Sequence, residues 1–392
     1  MMDSLQRGVI ALICSGITGE KLVLPDGFEI ERAYSELVRH QVLPLGYLGA
    51  LQCGIPKNLP VMSKMFQSYC RCLAQTENQL RMVERVCTEF DNAAIDYMPL
   101  KGCNLKKLYP KPELRLMGDA DVLIRTEQYK LIRPIMQKLG FTEQGESDHE
   151  LIWDTKSLHL ELHKRLIPSY NADYYRYFGD GWNQAKPLCG TRFGMEKEDE
   201  FIYLFVHFAK HYRDGGIGCR HVTDLWVYRR AYPNLDEDYI STELKKLQLL
   251  DFYRNIRVLI AAWFEGSDWD ERTQFITDFI FESGSWGSHK KRIISAGAKA
   301  EKEAGSATYG RIKRAMKMLF PSALDMRQKY PVLRWLPFLL PVFWPIRWIT
   351  AVLFRRENIR RQRNALAIST ADEIKTYQQA LDYVGLDFHF KE

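Results

Sequence analysis

The feature that most constrains the fold is RLMGDADVLI at residues 115–124, an apolar stretch with two aspartates one residue apart. Such a run is typical of a β-strand, in which successive side chains point to opposite faces. Asp119 and Asp121 are therefore predicted to share one face, with Ala120 and Val122 on the other. Two carboxylates this close repel each other, and protonation, a nearby basic side chain or bound divalent cations would relieve the repulsion.

A second strand pattern brings a third carboxylate. In SLHLELHKRL the leucines alternate with His159, Glu161 and His163, which predicts a strand with one apolar and one polar face. Glu161 is thus available as a partner for the two aspartates. An alternative is a His-x-Glu-x-His site for a transition metal, which would compete for the same glutamate.

The segment before the aspartates suggests a phosphate-binding turn. AIDYMPL is predicted to be a short strand that ends at Lys101-Gly102, and a helical turn follows in NLKKLY. Backbone N–H groups at such a helix start are suited to phosphate oxygens, and Lys101 would add a positive charge. Arg115 is a second phosphate candidate, and its alternative is an ion pair with Glu113 on the surface.

Helical periodicity dominates the rest of the chain. It covers residues 27–53, with an interruption at Pro44, then about 59–92, and again from about 196 to 281. His207 and His211 are four residues apart in the last stretch and share a helix face, as Arg220 and Asp224 do, which predicts a helical ion pair for the second couple.

The C-terminal part of the chain is aromatic and basic. Residues 331–363 contain Pro337, Pro341 and Pro345, so a membrane-spanning helix is not expected. The favoured interpretation is a segment buried against the helical domain, and the alternative is an element that lies on an anionic membrane surface. A Gly-, Ser- and Lys-rich stretch at 282–310 precedes this part and predicts a flexible linker or loop.

These patterns predict an α+β fold in which a small mixed sheet is flanked by N- and C-terminal helical regions. The predicted segments are a helical region at 1–94, the sheet core at 95–190, a helical domain at 191–281, the linker at 282–310 and the aromatic and basic region at 311–392.

Composition narrows the partners and the compartment. The formal net charge of +6 over 392 residues is small and dispersed, which argues against a long nucleic acid as a partner. The eight cysteines show no CxxC spacing and predict reduced thiols, hence a cytoplasmic location, with a peripheral location at the inner membrane face as a variant. Asp3 precedes the N-terminal apolar run, so a signal peptide is not expected.

The run PLKGCNLKKLYPKPELRLMGDADVLI, a helix, and LHLELH together resemble the nucleotidyltransferase superfamily typified by DNA polymerase β. The resemblance is closest to its branch of uncharacterised bacterial nucleotidyltransferases and covers about residues 96–165. Those proteins show a Lys-Gly turn, an Arg-x-Met-x-Asp-x-Asp strand, and a later strand with an acidic residue beside a histidine.

The resemblance implies a function and a site. It implies two Mg²⁺ or Mn²⁺ ions held by catalytic carboxylates at Asp119, Asp121 and Glu161, and transfer of a nucleoside monophosphate from an NTP to an unknown acceptor hydroxyl. The acceptor could be a small molecule, a sugar or lipid-linked intermediate, or a protein. The implied nucleotide-binding residues are Lys101, Gly102, Cys103, Arg115 and His211. Cys103 departs from the superfamily, which usually has serine there, so a hydroxyl contact to phosphate is lost.

Two other functions compete with nucleotidyl transfer. A non-catalytic nucleotide-binding or membrane-associated adaptor could keep the fold, although such a protein would not need all three carboxylates. A phosphotransferase could use the same two-ion site to attack the γ-phosphate instead.

Overall fold

The structure is a computed structural model that describes residues 3–169, 171–304, 316, 319–323, 326, 330–354 and 370–387. The contacts within the chain divide it into two compact units. The first consists of Met1–Lys210 and Gly216–Trp286, and the second of His211–Gly215 and Gly287–Glu392. In the part of the chain that the structure describes, no helix is long and apolar enough to cross a membrane.

Four helices precede the sheet, as the periodicity predicted. They are α1 Ser4–Thr18, α2 Ile30–Arg39, α3 Leu43–Gln52 and α4 Pro60–Asn92. The Asp3 carboxylate caps α1 by accepting a hydrogen bond from the backbone N–H of Leu5 at 3.0 Å. Pro44 lies in the first turn of α3, where its missing N–H costs nothing, so it separates α2 from α3.

A seven-stranded mixed sheet follows, with the strand order β3-β4-β5-β2-β1-β7-β6. Its strands are β1 Tyr97–Pro99, β2 Ala120–Ile124, β3 Thr142–Glu146, β4 Glu150–Asp154, β5 His159–His163, β6 Lys186–Cys189 and β7 Arg192–Gly194. Strand β2 pairs antiparallel with β1 and parallel with β5. Because Asp121 lies directly opposite Glu161 in this parallel register, the sheet itself brings the two carboxylates together.

Two helices cover the apolar face of the sheet. The leucines of β5 and the apolar residues of β2 are buried, and they pack in one cluster with Val86 and Phe90 of α4. Ile132 and Met136 of α6, Tyr129–Lys138, belong to the same cluster. The predicted division of β5 into a leucine face and a polar face is thereby confirmed, and so is the α+β class with a sheet between helical segments.

Short helices connect the strands, and long helices follow them. The connecting helices are α5 Gly102–Leu105, α6 and α7 Ala172–Phe178. After the sheet come α8 Lys197–Gly215, α9 Cys219–Ala231, α10 Glu237–Lys246, α11 Leu250–Phe264 and α12 Glu271–Ser283. Helix α8 begins with three acidic residues in its first turn, which favour the positive end of the helix dipole.

The prediction of a flexible linker or loop at 282–310 is wrong for residues 289–304, which form helix α13, His289–Ala304. The last part of that stretch, AGAKAEKEA, is rich in alanine, lysine and glutamate, and these strong helix formers outweigh its glycine. Residues 305–310 lie outside the described part of the chain. The remaining boundaries of the five predicted segments stay predictions.

The second unit also contains α14, Leu340–Phe354, and α15, Ala371–Tyr383. Within this unit the Tyr377 hydroxyl donates to the backbone oxygen of Arg213 at 2.9 Å, and the Lys299 ammonium pairs with Asp214 at 2.8 Å. The basic run at 355–363, which closes the aromatic and basic segment, lies outside the described residues.

Candidate active site

Asp121 is the centre of the candidate site. It lies in β2 with only 3% of its surface exposed, and its Oδ1 accepts hydrogen bonds from Lys101 Nζ and His163 Nε2, both at 2.8 Å. Burial alone would raise the pKa of this carboxyl, but the charge of Lys101 and the hydrogen bond from His163 outweigh it and lower the pKa below its usual range. Asp121 is therefore held as a buried anion.

Glu161 and His163 on the neighbouring strand complete a group of possible metal ligands. Ligand atoms of Asp121, Glu161 and His163 all lie within 4.8 Å of one another. His163 is almost fully buried, and its Nε2 is also 3.5 Å from Glu161 Oε2. Oxygen atoms from two carboxylates are the ligands that Mg²⁺ and Mn²⁺ prefer, so these residues could hold a hard divalent cation.

Asp119 lies just before β2 and feels the other two carboxylates. Burial, the negative charge of Asp121 and that of Glu161 raise its pKa, while Lys101 opposes them. The two predicted aspartates and Glu161 are thus close enough to interact electrically. The raised pKa means that the negative charge of Asp119 is disfavoured beside Asp121 and Glu161.

The alternative His-x-Glu-x-His site does not form as a three-residue group. His159 Nδ1 lies 2.5 Å from Asp154 Oδ1, although its Nε2 is 3.5 Å from Glu161. Among the described residues, the groups that contain His163 use either Asp121 with Glu161 or His149 with Glu150.

Lys101 sits in a strained turn between β1 and α5. Its backbone φ of 41° lies in a region that side-chain-bearing residues rarely adopt, at a cost of about 1–3 kcal/mol. The turn places its ammonium on Asp121, and the charge of Lys101 opposes the rise that burial causes in the pKa of Tyr203 on α8. The structure thus places Lys101 beside Asp121, and its contact with a phosphate stays a prediction.

The turn KGCN was expected to present free backbone N–H groups, but several of these groups form hydrogen bonds within the turn. The N–H of Cys103 donates to the Leu100 oxygen at 3.0 Å, and the N–H groups of Asn104 and Leu105 donate to the Lys101 oxygen. These three N–H groups are already used, because α5 is a single turn that closes on the end of β1. The Cys103 side chain packs into the core, where burial raises the pKa of its thiol to about 12.

Gly102 permits the close approach of a buried arginine. A Cβ at this position would lie 2.6 Å from Arg115 Nη1, so only glycine fits without displacing that side chain. Arg115 Nε and Nη2 each donate to the Asp224 carboxylate at 3.1 Å, and the Tyr109 hydroxyl donates to Asp224 at 2.7 Å.

Arg115 is therefore paired with Asp224 of α9 and not with Glu113, which accepts a hydrogen bond from the Tyr69 hydroxyl at 2.8 Å. Two predicted ion pairs are therefore wrong, the surface pair of Arg115 with Glu113 and the helical pair of Arg220 with Asp224. The buried pair that replaces them joins residues that are far apart in the sequence. A direct role of Arg115 in nucleotide binding stays a prediction.

Arg220 of α9 interacts electrostatically with the Arg115–Asp224 pair and with Asp119 of the acidic group. Its Nη1 donates to the Leu116 oxygen at 3.1 Å, and burial and the positive charge of Arg115 lower its pKa, while Asp224 and Asp119 oppose that shift. A partly buried guanidinium that feels a second positive charge is stabilised by an anion. Local sequence spacing suggested only a helical ion pair for Arg220, because its neighbours come from the loop before β2.

The remaining predicted residue is His211, on α8 at the start of the stretch His211–Gly215 that belongs to the second unit. Its assignment to the nucleotide site stays a prediction.

The comparisons with known proteins agree with this arrangement. A family described as uncharacterised nucleotidyltransferase matches residues 26–265, which is more than half of the chain. The chain belongs to this family. No curated protein and no solved structure matches it. The match to this nucleotidyltransferase family begins before α2, includes the strands β2 and β5 that carry the acidic group, and extends through α9 and α10 to the end of α11.

Sequence reasoning on this nucleotidyltransferase missed several residues that the fold brings to the site. Tyr203, His149 and Glu150 border the acidic group, and each comes from an element outside the quoted motifs. His149 and Glu150 lie at the start of β4, a strand that the alternation of apolar residues had not revealed.

Proposed function

We propose that the chain catalyses metal-dependent transfer of a nucleoside monophosphate from an NTP to an acceptor hydroxyl, with release of pyrophosphate. The observation that carries this proposal is that Asp121 and Glu161 face each other on β2 and β5, with Asp119 just before β2 and with Arg115 and Arg220 within electrostatic reach of Asp119. A surplus of negative charge beside a surplus of positive charge is complementary to a divalent cation bound to a triphosphate.

The carboxylates are proposed to hold two Mg²⁺ or Mn²⁺ ions. The fit rests on charge, because Asp119 has a raised pKa next to Asp121 and Glu161 and a cation would relieve that repulsion. The bound ions would act as Lewis acids that favour the deprotonated acceptor hydroxyl and the leaving pyrophosphate. The acceptor oxygen then attacks the α-phosphorus, and the bond to the bridging oxygen of the pyrophosphate breaks.

The triphosphate is proposed to lie toward Arg220 and Lys101. Arg220 has a lowered pKa through burial and the neighbouring Arg115, so a phosphate oxygen would stabilise its charge. The exposed Trp286 lies near the same loop, since a Cβ at Gly118 would be 3.5 Å from its ring. We assign Trp286 to stacking on the nucleobase, a contact that every base can make.

The acceptor is proposed to be a small molecule, a sugar or lipid-linked intermediate, or a protein hydroxyl. A long polynucleotide is disfavoured because its binding relies on many basic side chains, and the net charge of the chain is only +6.

Thermal unfolding tests the nucleotide site. We expect one of ATP, GTP, CTP and UTP to raise the melting temperature only when Mg²⁺ or Mn²⁺ is present, because a ligand that binds the folded state stabilises it. The Asp119→Ala/Asp121→Ala double variant should lose the shift. An absence of any metal-dependent shift in the wild type would favour the adaptor function and contradict the enzyme.

Product analysis separates nucleotidyl transfer from phosphoryl transfer. Incubation with the selected NTP and an extract of small molecules should release pyrophosphate, whereas attack at the γ-phosphate would leave a nucleoside diphosphate. Formation of the diphosphate alone would overturn the proposal in favour of a phosphotransferase.

For the C-terminal segment we propose contact with an anionic membrane surface. Trp335 and Phe338 are 85% and 73% exposed, and Val342, Ile346 and Ile349 are exposed along one face of α14. Five arginines follow within residues 355–363, which suits a negatively charged lipid surface. Two other tryptophans do not contribute, since Trp344 and Trp348 donate to the backbone oxygens of Pro321 and Leu319.

Sedimentation with vesicles tests this surface. The full chain should sediment with vesicles that contain phosphatidylglycerol at low salt, and less with vesicles of phosphatidylcholine alone. The Trp335→Ser/Phe338→Ser double variant should lose binding, while Val23→Ser, a change at an exposed apolar residue elsewhere, should keep it. No sedimentation of the wild type, or equal sedimentation of the double variant, would contradict the proposal.

A further inference from the structure

We propose that His149, Glu150 and His163 form a separate binding site for a transition-metal dication. One ligand atom from each of these residues lies within 4.8 Å of the others. The site is built across the β4–β5 pair, in which Glu150 lies directly opposite His163. It would exist in the folded chain whether or not the chain transfers nucleotides.

The buried nitrogen of His163 provides an independent reason to expect a ligand. His163 is 2% exposed, and its Nε2 is used by Asp121, but its Nδ1 is buried and has no hydrogen-bond partner. A buried polar atom without a partner is costly. Because Nε2 contacts a carboxylate, it carries the proton, and Nδ1 keeps the lone pair that a metal ion needs.

His149 and Glu150 supply the other two ligands from the side that solvent can reach. His149 Nε2 lies 2.9 Å from Glu150 Oε2, and the two side chains are 16% and 17% exposed. Ser147 Oγ accepts hydrogen bonds from the backbone N–H groups of both residues and is 3.4 Å from His149 Nδ1, so it fixes this turn. A metal ion would take the place of the proton between the imidazole and the carboxylate.

The donor set selects the kind of metal. Two imidazole nitrogens and one carboxylate oxygen suit Zn²⁺, Mn²⁺, Fe²⁺, Co²⁺ or Ni²⁺, whereas Mg²⁺ prefers oxygen ligands. In a tetrahedral zinc site the ligand atoms are about 3.4 Å apart, so a bound ion would draw the three side chains together by small rotations.

The proposed site is linked to the acidic group through His163. A metal on Nδ1 would hold the ring neutral, with its Nε2–H donating to Asp121. Asp121 would then keep its hydrogen bond, and the charge of the bound dication would lie on the other nitrogen of the same ring. Occupancy of this site is therefore expected to change how strongly the acidic group binds Mg²⁺.

The experiment uses the full chain after treatment with a chelator, with no nucleotide present. Zn²⁺ and Co²⁺ binding is followed by elemental analysis after gel filtration and by the visible absorption of bound Co²⁺. We expect one equivalent in the wild type, and an affinity at least about tenfold weaker in His149→Ala. His159→Ala is the matched control, since His159 lies on β5 but pairs with Asp154, and it should bind like the wild type.

Two outcomes would overturn the inference. One is a wild type that retains no Zn²⁺ or Co²⁺, and the other is a His149→Ala variant that binds as tightly as His159→Ala. Binding lost in Asp121→Asn but kept in His149→Ala would place the ion at the acidic group, and so would also count against the site. The Mg²⁺-dependent nucleotide shift is measured separately in His149→Ala, so failure of this site and failure of nucleotidyl transfer are distinguishable.

Discussion

Two buried carboxylates, Asp121 and Asp224, show how similar ion pairs can serve different purposes. Asp224 accepts from Tyr109 and, through both oxygens, from Arg115, and a second arginine, Arg220, lies nearby, so positive charge is in excess. Asp121 has both its basic partners on one oxygen and two further carboxylates beside it, so negative charge is in excess. The first arrangement has its carboxylate fully paired, whereas the second has a surplus of negative charge that the proposed divalent cation would balance.

The strongest test of this contrast is Asp121→Asn. The variant should still fold, because the amide keeps the shape and the relieved repulsion with Asp119 offsets part of the lost attraction to Lys101, but turnover should fall by about 10³-fold or more through loss of a metal ligand. The rate of pyrophosphate release checks this expectation. Asp96→Asn is the matched control, since Asp96 pairs with the partly exposed Arg125 away from the acidic group. Unchanged turnover in Asp121→Asn would contradict the assignment.

The opposite result is expected for Asp224→Asn. Loss of this carboxylate leaves Arg115 buried without its partner, which should lower the free energy of unfolding by about 3–5 kcal/mol. Urea unfolding measures the change. In Glu143→Gln, which removes the partner of the half-exposed Arg133, the expected loss is below about 1 kcal/mol. Equal losses in the two variants would mean that burial does not distinguish these pairs.

Arg220→Gln tests whether the positive charge of Arg220 contributes to nucleotide binding or to the stability of the fold. Because burial and Arg115 already lower the pKa of Arg220, removal of its charge should leave the free energy of unfolding unchanged or raise it. Nucleotide affinity should fall by about 30-fold, the equivalent of about 2 kcal/mol for one charged hydrogen bond. Calorimetric titration with the NTP checks the affinity, and a variant that binds as well as the wild type would remove Arg220 from the phosphate site.

A comparison of Lys101 with Lys106 gives the smallest and most selective test. Lys101 is paired with Asp121, which holds its pKa above the usual range despite burial, whereas Lys106 meets only the neutral oxygens of Thr76 and Pro112, and burial lowers the pKa of Lys106 to about 8. An unfolded lysine titrates near about 10.4. Between these values the unfolded chain binds more protons, so the free energy of unfolding rises with pH.

Lys106 is expected to add about 1 kcal/mol to the free energy of unfolding as the pH rises from about 7.5 to about 9. This contribution is measured as the difference between the wild type and Lys106→Met in urea unfolding at each pH. If the free energies of unfolding of the two proteins change by the same amount over this pH range, the pKa of Lys106 is not lowered in the folded protein.

The sequence was sufficient for the two central strands, β2 and β5, that carry the acidic group. The alternation in RLMGDADVLI and SLHLELHKRL places the three carboxylates on polar faces, and the family resemblance connects the two strands. The pairing of Arg115 with Asp224 was not predictable, because its partners are more than a hundred residues apart and no local pattern joins them.

The edge of the sheet was missed for a different reason. Strand β3, Thr142–Glu146, is an edge strand of polar residues and glycine with no buried member, so it has no apolar alternation to detect. Because β3 and β4 were not predicted, the sequence could not place His149 and Glu150 relative to the acidic group. The sequence therefore indicated the acidic group but not the histidine and glutamate on its far side.

The parallel pairing of β2 with β5 also determines when the site can form. Asp121 and Glu161 become neighbours only after the chain between them has folded into α6, β3 and β4 and returned to the sheet. Such non-local pairing is slow compared with the formation of single helices and hairpins. During refolding, the capacity to bind a cation is thus acquired late, after most helical structure, and a partly folded chain with native helicity would still lack a functional centre.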